Sequence, residues 1–176
     1  MNSITTLNCQ APSTDLTARV LLIEDSFDDQ QFVIRASRKI GYDIDLRLCT
    51  DGEEALCFVN REGIYSDAEL PDFVLLDLNL PGLSGLEVLE AIRAHEFYAS
   101  IPVVVFSSSS HEEDVKRAWR LGCSSFFQKP SNPTLYMELL SSLCAYWKSG
   151  FHLLPEKRRG RRGISRNSEV SHKMGS

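Results

Sequence analysis

No apolar run in the 176-residue sequence approaches the roughly 20 residues that cross a bilayer. The opening MNSITTLNCQAPSTDLTARV also lacks the basic-then-apolar order of a secretory signal. A cytosolic chain is the expectation. Cysteine is scattered: Cys9, Cys49, Cys57, Cys123 and Cys144 are odd in number and form neither CxxC nor a Cys/His cluster of metal-ligand spacing, so they read as buried free thiols. Histidine is equally dispersed, and His95, His111, His152 and His172 show no ligand spacing. There is no internal repeat and no recognisable DNA-binding motif.

What is present is an ordinary soluble composition, 43% hydrophobic and 24% charged, able to bury a core. The net charge of −5 hides an asymmetry. From Pro155 onward seven Lys or Arg face two acids, while residues 1–154 hold 12 basic against 22 acidic groups. The tail, 155–176, is basic and reads as a solvated, disordered extension; without a DNA-binding motif beside it, nucleic acid is not an expected partner. Residues 1–17 are polar without periodicity and read as a disordered arm. The body, 18–154, alternates short apolar runs with helical patterns, the signature of βα units around a parallel sheet. The runs are Val20–Ile23, Asp45–Leu48, Phe73–Leu76, Val103–Phe106 and Ser125–Phe127. Helix starts are predicted from Ser26 with Asp29, Thr50 with Glu53, Ser110 with Glu113, and Asn132 with Pro133; a further helix covers Gly85 to about His95. Leu135, Leu139, Leu140, Leu143, Tyr146 and Trp147 give the fifth helix a buried stripe. The fold class is α/β, a doubly wound parallel sandwich of five strands and five helices.

In such a sheet, ligands sit beyond the carboxyl ends of the strands. Those ends carry Glu24-Asp25, Asp77, Phe106-Ser107-Ser108 and Lys129-Pro130. Three converging carboxylates repel unless a cation compensates them, and oxygen ligands of this kind suit Mg²⁺. Lys129 adds an ammonium able to pair with Asp77 before reaction and with a phosphoryl oxygen after it. The set suits phosphoryl transfer onto a carboxylate, with Asp77 as nucleophile. Taken alone, Asp77 would be an ordinary strand-end turn residue; the company at the other strand ends reverses that reading.

The strings LLIEDSFDDQ, DFVLLDLNLPGLSGLEVL, IPVVVFSSSS and SFFQKP, in that order, resemble the receiver domain of two-component response regulators, over residues 19 to about 148. The resemblance implies strand order 2-1-3-4-5 and Asp77 as phosphoacceptor. It implies Asp25 and Asp77 as direct Mg²⁺ ligands, Glu24 acting through water, and the backbone carbonyl of Asn79 completing the metal site. Ser107 matches the switch hydroxyl, and Lys129 the lysine whose bond to Pro130 is usually cis. Pro81 and Gly85 match the turn after the acceptor. Phe126 occupies the aromatic switch position without the hydroxyl of a Tyr. The connection REGIYSDAELPD and the ending YWKSGFHLLP are similar to single-domain regulators that partner bacterial phytochrome histidine kinases. A sensor histidine kinase is thus the implied partner, with a homodimer through the fourth helix, fifth strand and fifth helix as a further expectation; Trp119 and Phe126 lie on that stretch. No histidine here suits a phosphodonor, so the phosphoryl group is expected from another protein, and the output from protein contact. Two other readings are an unphosphorylated binding module and a phosphohydrolase of the haloacid dehalogenase type. Asp77-Leu78-Asn79 lacks the D-x-D pair that the latter needs.

Overall fold

The apolar runs at 20–23, 73–76 and 103–107 become strands because helices cover both faces of the sheet and continuous burial leaves no polar side to alternate with, whereas the two edge strands, 44–49 and 125–128, are only partly buried. The computed structural model describes residues 17–39, 44–109 and 111–150. The expected arm and basic tail fall outside these residues, as do Ile40, Ser110 and the side chains of Tyr146 and Trp147. The strands are β1 (Ala18–Ile23), β2 (Ile44–Cys49), β3 (Phe73–Leu76), β4 (Val103–Ser107) and β5 (Ser125–Gln128). All pair in parallel, in the order β2-β1-β3-β4-β5. The helices are α1 (Phe27–Lys39), α2 (Gly52–Asn60), α3 (Gly85–Ala94), α4 (Glu112–Arg120) and α5 (Pro133–Gly150).

Two apolar layers result. Leu21, Ile23, Val74, Leu76, Val103 and Val105 face α2, α3 and α4, while Val20, Leu22, Phe73, Leu75, Val104 and Phe106 face α1 and α5. The alternation along each strand is the period of two that sends successive side chains to opposite faces. Ile23 pairs with Leu76, and Leu76 with Val105, so the residues that follow them emerge together at one edge.

Two helix starts, those of α2 and α4, differ in detail from the sequence expectation. The cap of α2 is Asp51 rather than Thr50: its Oδ1 accepts the Glu54 N–H at 2.7 Å, and the Glu54 carboxylate reaches back to the N–H and hydroxyl of Thr50. Asp51 has the extended backbone of a capping residue, and Thr50 sits one residue before it. At α3, Ser84 and Glu87 form a reciprocal capping box that the sequence reading passed over. The residue before α4 is His111, whose side chain makes no capping bond; the Ser109 hydroxyl accepts the His111 N–H and donates to Asp114. The start of α5 is as expected, with Asn132 Oδ1 accepting the Thr134 N–H at 2.8 Å.

The buried stripe of α5 differs from the expectation at one position: Tyr136, 3% exposed, stands in the core in place of Leu135, 51% exposed. Tyr136 and Leu140, spaced four apart, occupy the core positions, with Leu139 and Leu143 packed beside them. Among the cysteines, Cys49 and Cys123 are buried free thiols and Cys57 is half-buried. Burial pushes the Cys49 thiol up to about 12 and keeps it protonated.

Candidate functional site

Strand register assembles the site. The Asp77 N–H donates to the Ile23 carbonyl and the Lys129 N–H to the Ser107 carbonyl, each at the carboxyl edge of the sheet. Glu24 follows Ile23 there, its own N–H bonded to the Cys49 carbonyl. Glu24, Asp25, Asp77, Ser107 and Lys129 are therefore neighbours in space, as the sequence reading expected of them.

At the centre is the Lys129 ammonium, only 8% exposed in its side chain. It lies 2.5 Å from Asp77 Oδ2, 2.7 Å from Glu24 Oε2 and 2.9 Å from Asp29 Oδ2. The third partner was not foreseen. Asp29 is also a first-turn carboxylate favoured by the dipole of α1. Its contact with Lys129 spans 100 positions of sequence, and local patterning carries no trace of it.

Burial is the largest influence on Glu24. It lifts the carboxyl to about 7 in spite of the Lys129 ammonium, and the Asp77 charge adds to the rise. For Lys129, burial disfavours the charge, but bonds to Asp77, Glu24 and Asp29 outweigh it and hold the ammonium above its ordinary range. One ammonium thus faces Glu24, Asp29 and Asp77, with Asp25 exposed alongside. Glu24, Asp25 and Asp77 each offer a carboxylate oxygen, and the three oxygens lie within 4.8 Å of one another. An all-oxygen donor set with surplus negative charge fits a hard divalent cation such as Mg²⁺ or Mn²⁺.

The loop after Asp77 fixes its orientation. The Asn79 N–H donates to Asp77 Oδ1 at 3.0 Å, and the Asn79 side-chain amide donates to the hydroxyls of Ser107, at 3.3 Å, and Ser108, at 3.0 Å. Asn79 had been considered for its carbonyl alone; its side chain is what ties β3 to β4. Ser107 is fully buried and also accepts the Ser109 N–H at 3.2 Å. With both its acceptor positions taken, the Ser107 hydroxyl proton is left to donate. Gly85 packs beneath the loop, where an added Cβ would overlap the Asp77 carbonyl oxygen and approach Leu78 Cα to 2.6 Å. Gln30, another residue the sequence reading missed, is buried and donates to the Glu24 carbonyl at 2.7 Å, pinning the turn between β1 and α1.

Two expectations need comment. No peptide bond among the described residues is cis, so Lys129–Pro130 is trans. The trans isomer is the lower in energy by about 0.5–1 kcal/mol, and Lys129 makes all its contacts from it. Phe126 is half-buried and packs against the α2–α4 layer, while Trp119 on α4 is 52% exposed.

Comparison with known proteins agrees with this geometry. Residues 20–141 match the response regulator receiver domain. Response regulator Rcp1 of Synechocystis is 32% identical over 128 residues, covering 73% of this chain and 87% of Rcp1. The solved structure of the phosphorylated cyanobacterial phytochrome response regulator RcpA superposes with a TM-score of 0.72 at 30% identity, covering 76% of this chain and 96% of RcpA. The Mn²⁺-bound form of Rcp1 superposes with a TM-score of 0.69 at 32% identity, over 74% and 94% of the two chains.

Proposed function

The chain belongs to the response regulator receiver family, and from that premise we propose that Asp77 accepts a phosphoryl group from the phosphohistidine of a sensor histidine kinase of the bacterial phytochrome kind. The observation that carries the proposal is the buried Lys129 ammonium bonded at once to Glu24, Asp29 and Asp77, beside the fully buried Ser107. A structural lysine has no need of three carboxylates. The acidic body, 18–154, carries this chemistry, with the arm and basic tail outside it.

In the transfer, a carboxylate oxygen of Asp77 attacks phosphorus in line. The P–N bond breaks, and its electron pair returns to the donor imidazole. The Asn79 N–H holds one Asp77 oxygen, which orients the other. Lys129 is placed to exchange a carboxylate for a phosphoryl oxygen, and Ser107 to donate its free proton to another. Glu24, Asp25, Asp77 and the Asn79 carbonyl would hold Mg²⁺, which supplies neutralisation of the charge gathered around the phosphoryl group.

The output is conformational. Movement of Ser107 toward the phosphoryl group opens space beside Phe126, and the face of α4, β5 and α5, with Trp119 exposed on it, is the surface for a protein partner or a second copy. The protein is a signalling phosphoacceptor rather than an enzyme. An aspartyl-phosphate phosphohydrolase needs an acid where Asn79 stands, and that amide is engaged with two serines.

Incubation with acetyl phosphate and Mg²⁺ tests the reading on a phosphate-affinity gel. Wild type is expected to give a retarded band that is absent from Asp77→Ala and Asp77→Asn. Equal labelling of all three, or none of wild type, would overturn it.

A further inference from the structure

The phenolic hydroxyl of Tyr136 has no hydrogen-bond partner although the residue is 3% exposed; only Tyr98 shares that condition among the described side chains. An unpaired buried hydroxyl is unfavourable, and Phe would fill the same volume without the penalty. A buried donor of this kind is available to a second state of the molecule.

Its surroundings say which state. The ring stacks on Phe32, centroids 5.8 Å apart, and meets Phe106 edge-on at 4.5 Å. Phe32 lies on α1 three residues beyond Asp29, and Phe106 immediately precedes Ser107 on β4. The ring therefore lies between Phe32, one turn along α1 from the Lys129 partner Asp29, and Phe106, next to the switch hydroxyl of Ser107. Burial, then the charges of Asp29, Glu24 and Asp77, raise the phenol above its ordinary range, so it remains a neutral donor within the field of those carboxylates. In the present arrangement Asp29 Oδ2 is taken by Lys129. A small apolar void bordered by Val33, Leu75, Phe106 and Leu140 leaves the ring room to shift.

We propose that Tyr136 is a positioning residue that reads the state of Asp77 from the α1–α5 side: when Lys129 turns to a phosphoryl oxygen, the released Asp29 carboxylate accepts the Tyr136 hydroxyl. The inference rests on the phosphoacceptor reading above. The change is an exchange of hydrogen bonds only: Lys129 trades Asp29 for the phosphoryl group, and Tyr136 trades no partner for Asp29. It draws the first turn of α5 onto the first turn of α1. Phe126 packs on the opposite face of the sheet, so one event at Asp77 reaches both layers by separate aromatic groups.

Tyr136→Phe keeps the ring and removes only the donor. Thermal unfolding of wild type and Tyr136→Phe is measured in Mg²⁺ alone and in Mg²⁺ with beryllium fluoride, a mimic of the acyl phosphate, alongside acetyl phosphate labelling. The variant is expected to unfold at or above the wild-type midpoint in Mg²⁺ alone, yet to gain about 2–4 °C less on adding beryllium fluoride. Equal gains in both proteins, or an equal deficit of the variant in both states, would overturn the inference while leaving the phosphoacceptor reading intact. Wild type that takes no label at Asp77 would overturn both.

Discussion

Lys129 is the residue on which the electrostatics of the site turn, because its one ammonium pairs with three carboxylates, two of them in side chains under 5% exposed. Removing one partner of a buried ion pair leaves the others uncompensated, typically at about 3–5 kcal/mol. Lys129→Ala is expected to lose stability of that order in urea unfolding, and to recover more on adding Mg²⁺ than wild type does. Glu24 supplies a pH signature. Its carboxyl titrates at about 7 in the fold against 4.5 ordinarily, so across that window the folded chain binds the extra proton. Metal-free stability should therefore fall as pH rises through the window, by roughly 3 kcal/mol from this group. Glu24→Gln should flatten that slope in urea titrations at pH 5 to 8. Mg²⁺ binding should release protons and weaken below about pH 7, since the cation needs Glu24 ionised. Glu24, Asp25, Asp77, Ser107 and Lys129 were legible in the sequence because each ends an apolar run. Asp29 and Tyr136 were not, because their roles depend on packing between α1, β5 and α5, which no local pattern encodes.

At the scale of elements, capping chemistry and close approach set the loops that aim the site. Ser84 and Glu87 close the start of α3 reciprocally, and Gly85 brings that helix against the Asp77–Leu78 backbone. The two residues should separate cleanly under mutation. Ser84→Ala is expected to lower stability by about 1 kcal/mol and leave the rate of labelling by acetyl phosphate near wild type. Gly85→Ala must displace the Asp77 backbone, and its labelling rate should drop at least several-fold beyond any loss of stability. The strands followed from apolar runs bounded by polar residues, and the helices from cap spacings and periodicity. The sequence misplaced the α2 cap because Thr50 and Asp51 are both competent and only the backbone decides between them. It placed Leu139, Leu140 and Leu143 of the α5 stripe correctly and only its first position wrongly, because Leu135 and Tyr136 are both apolar enough and the aromatic pocket of Phe32 and Phe106 selects Tyr136.

At the scale of the whole molecule, a parallel sheet brings the ends of β1, β3, β4 and β5 to one edge, with an apolar layer on each face of the sheet. Among the described residues no helix is long and apolar enough to cross a membrane. The receiver assignment was readable from four motifs in order, whereas the chemistry at the edge emerges only when strands far apart in sequence are aligned. The central claim is that Asp77 becomes an acyl phosphate. Borohydride reduction converts such a group to homoserine, so reduction after acetyl phosphate and Mg²⁺ treatment, followed by peptide sequencing by mass spectrometry, locates it. Homoserine at position 77 alone is the predicted result. Homoserine at position 25, or at no position in a folded, Mg²⁺-loaded protein, would contradict the account.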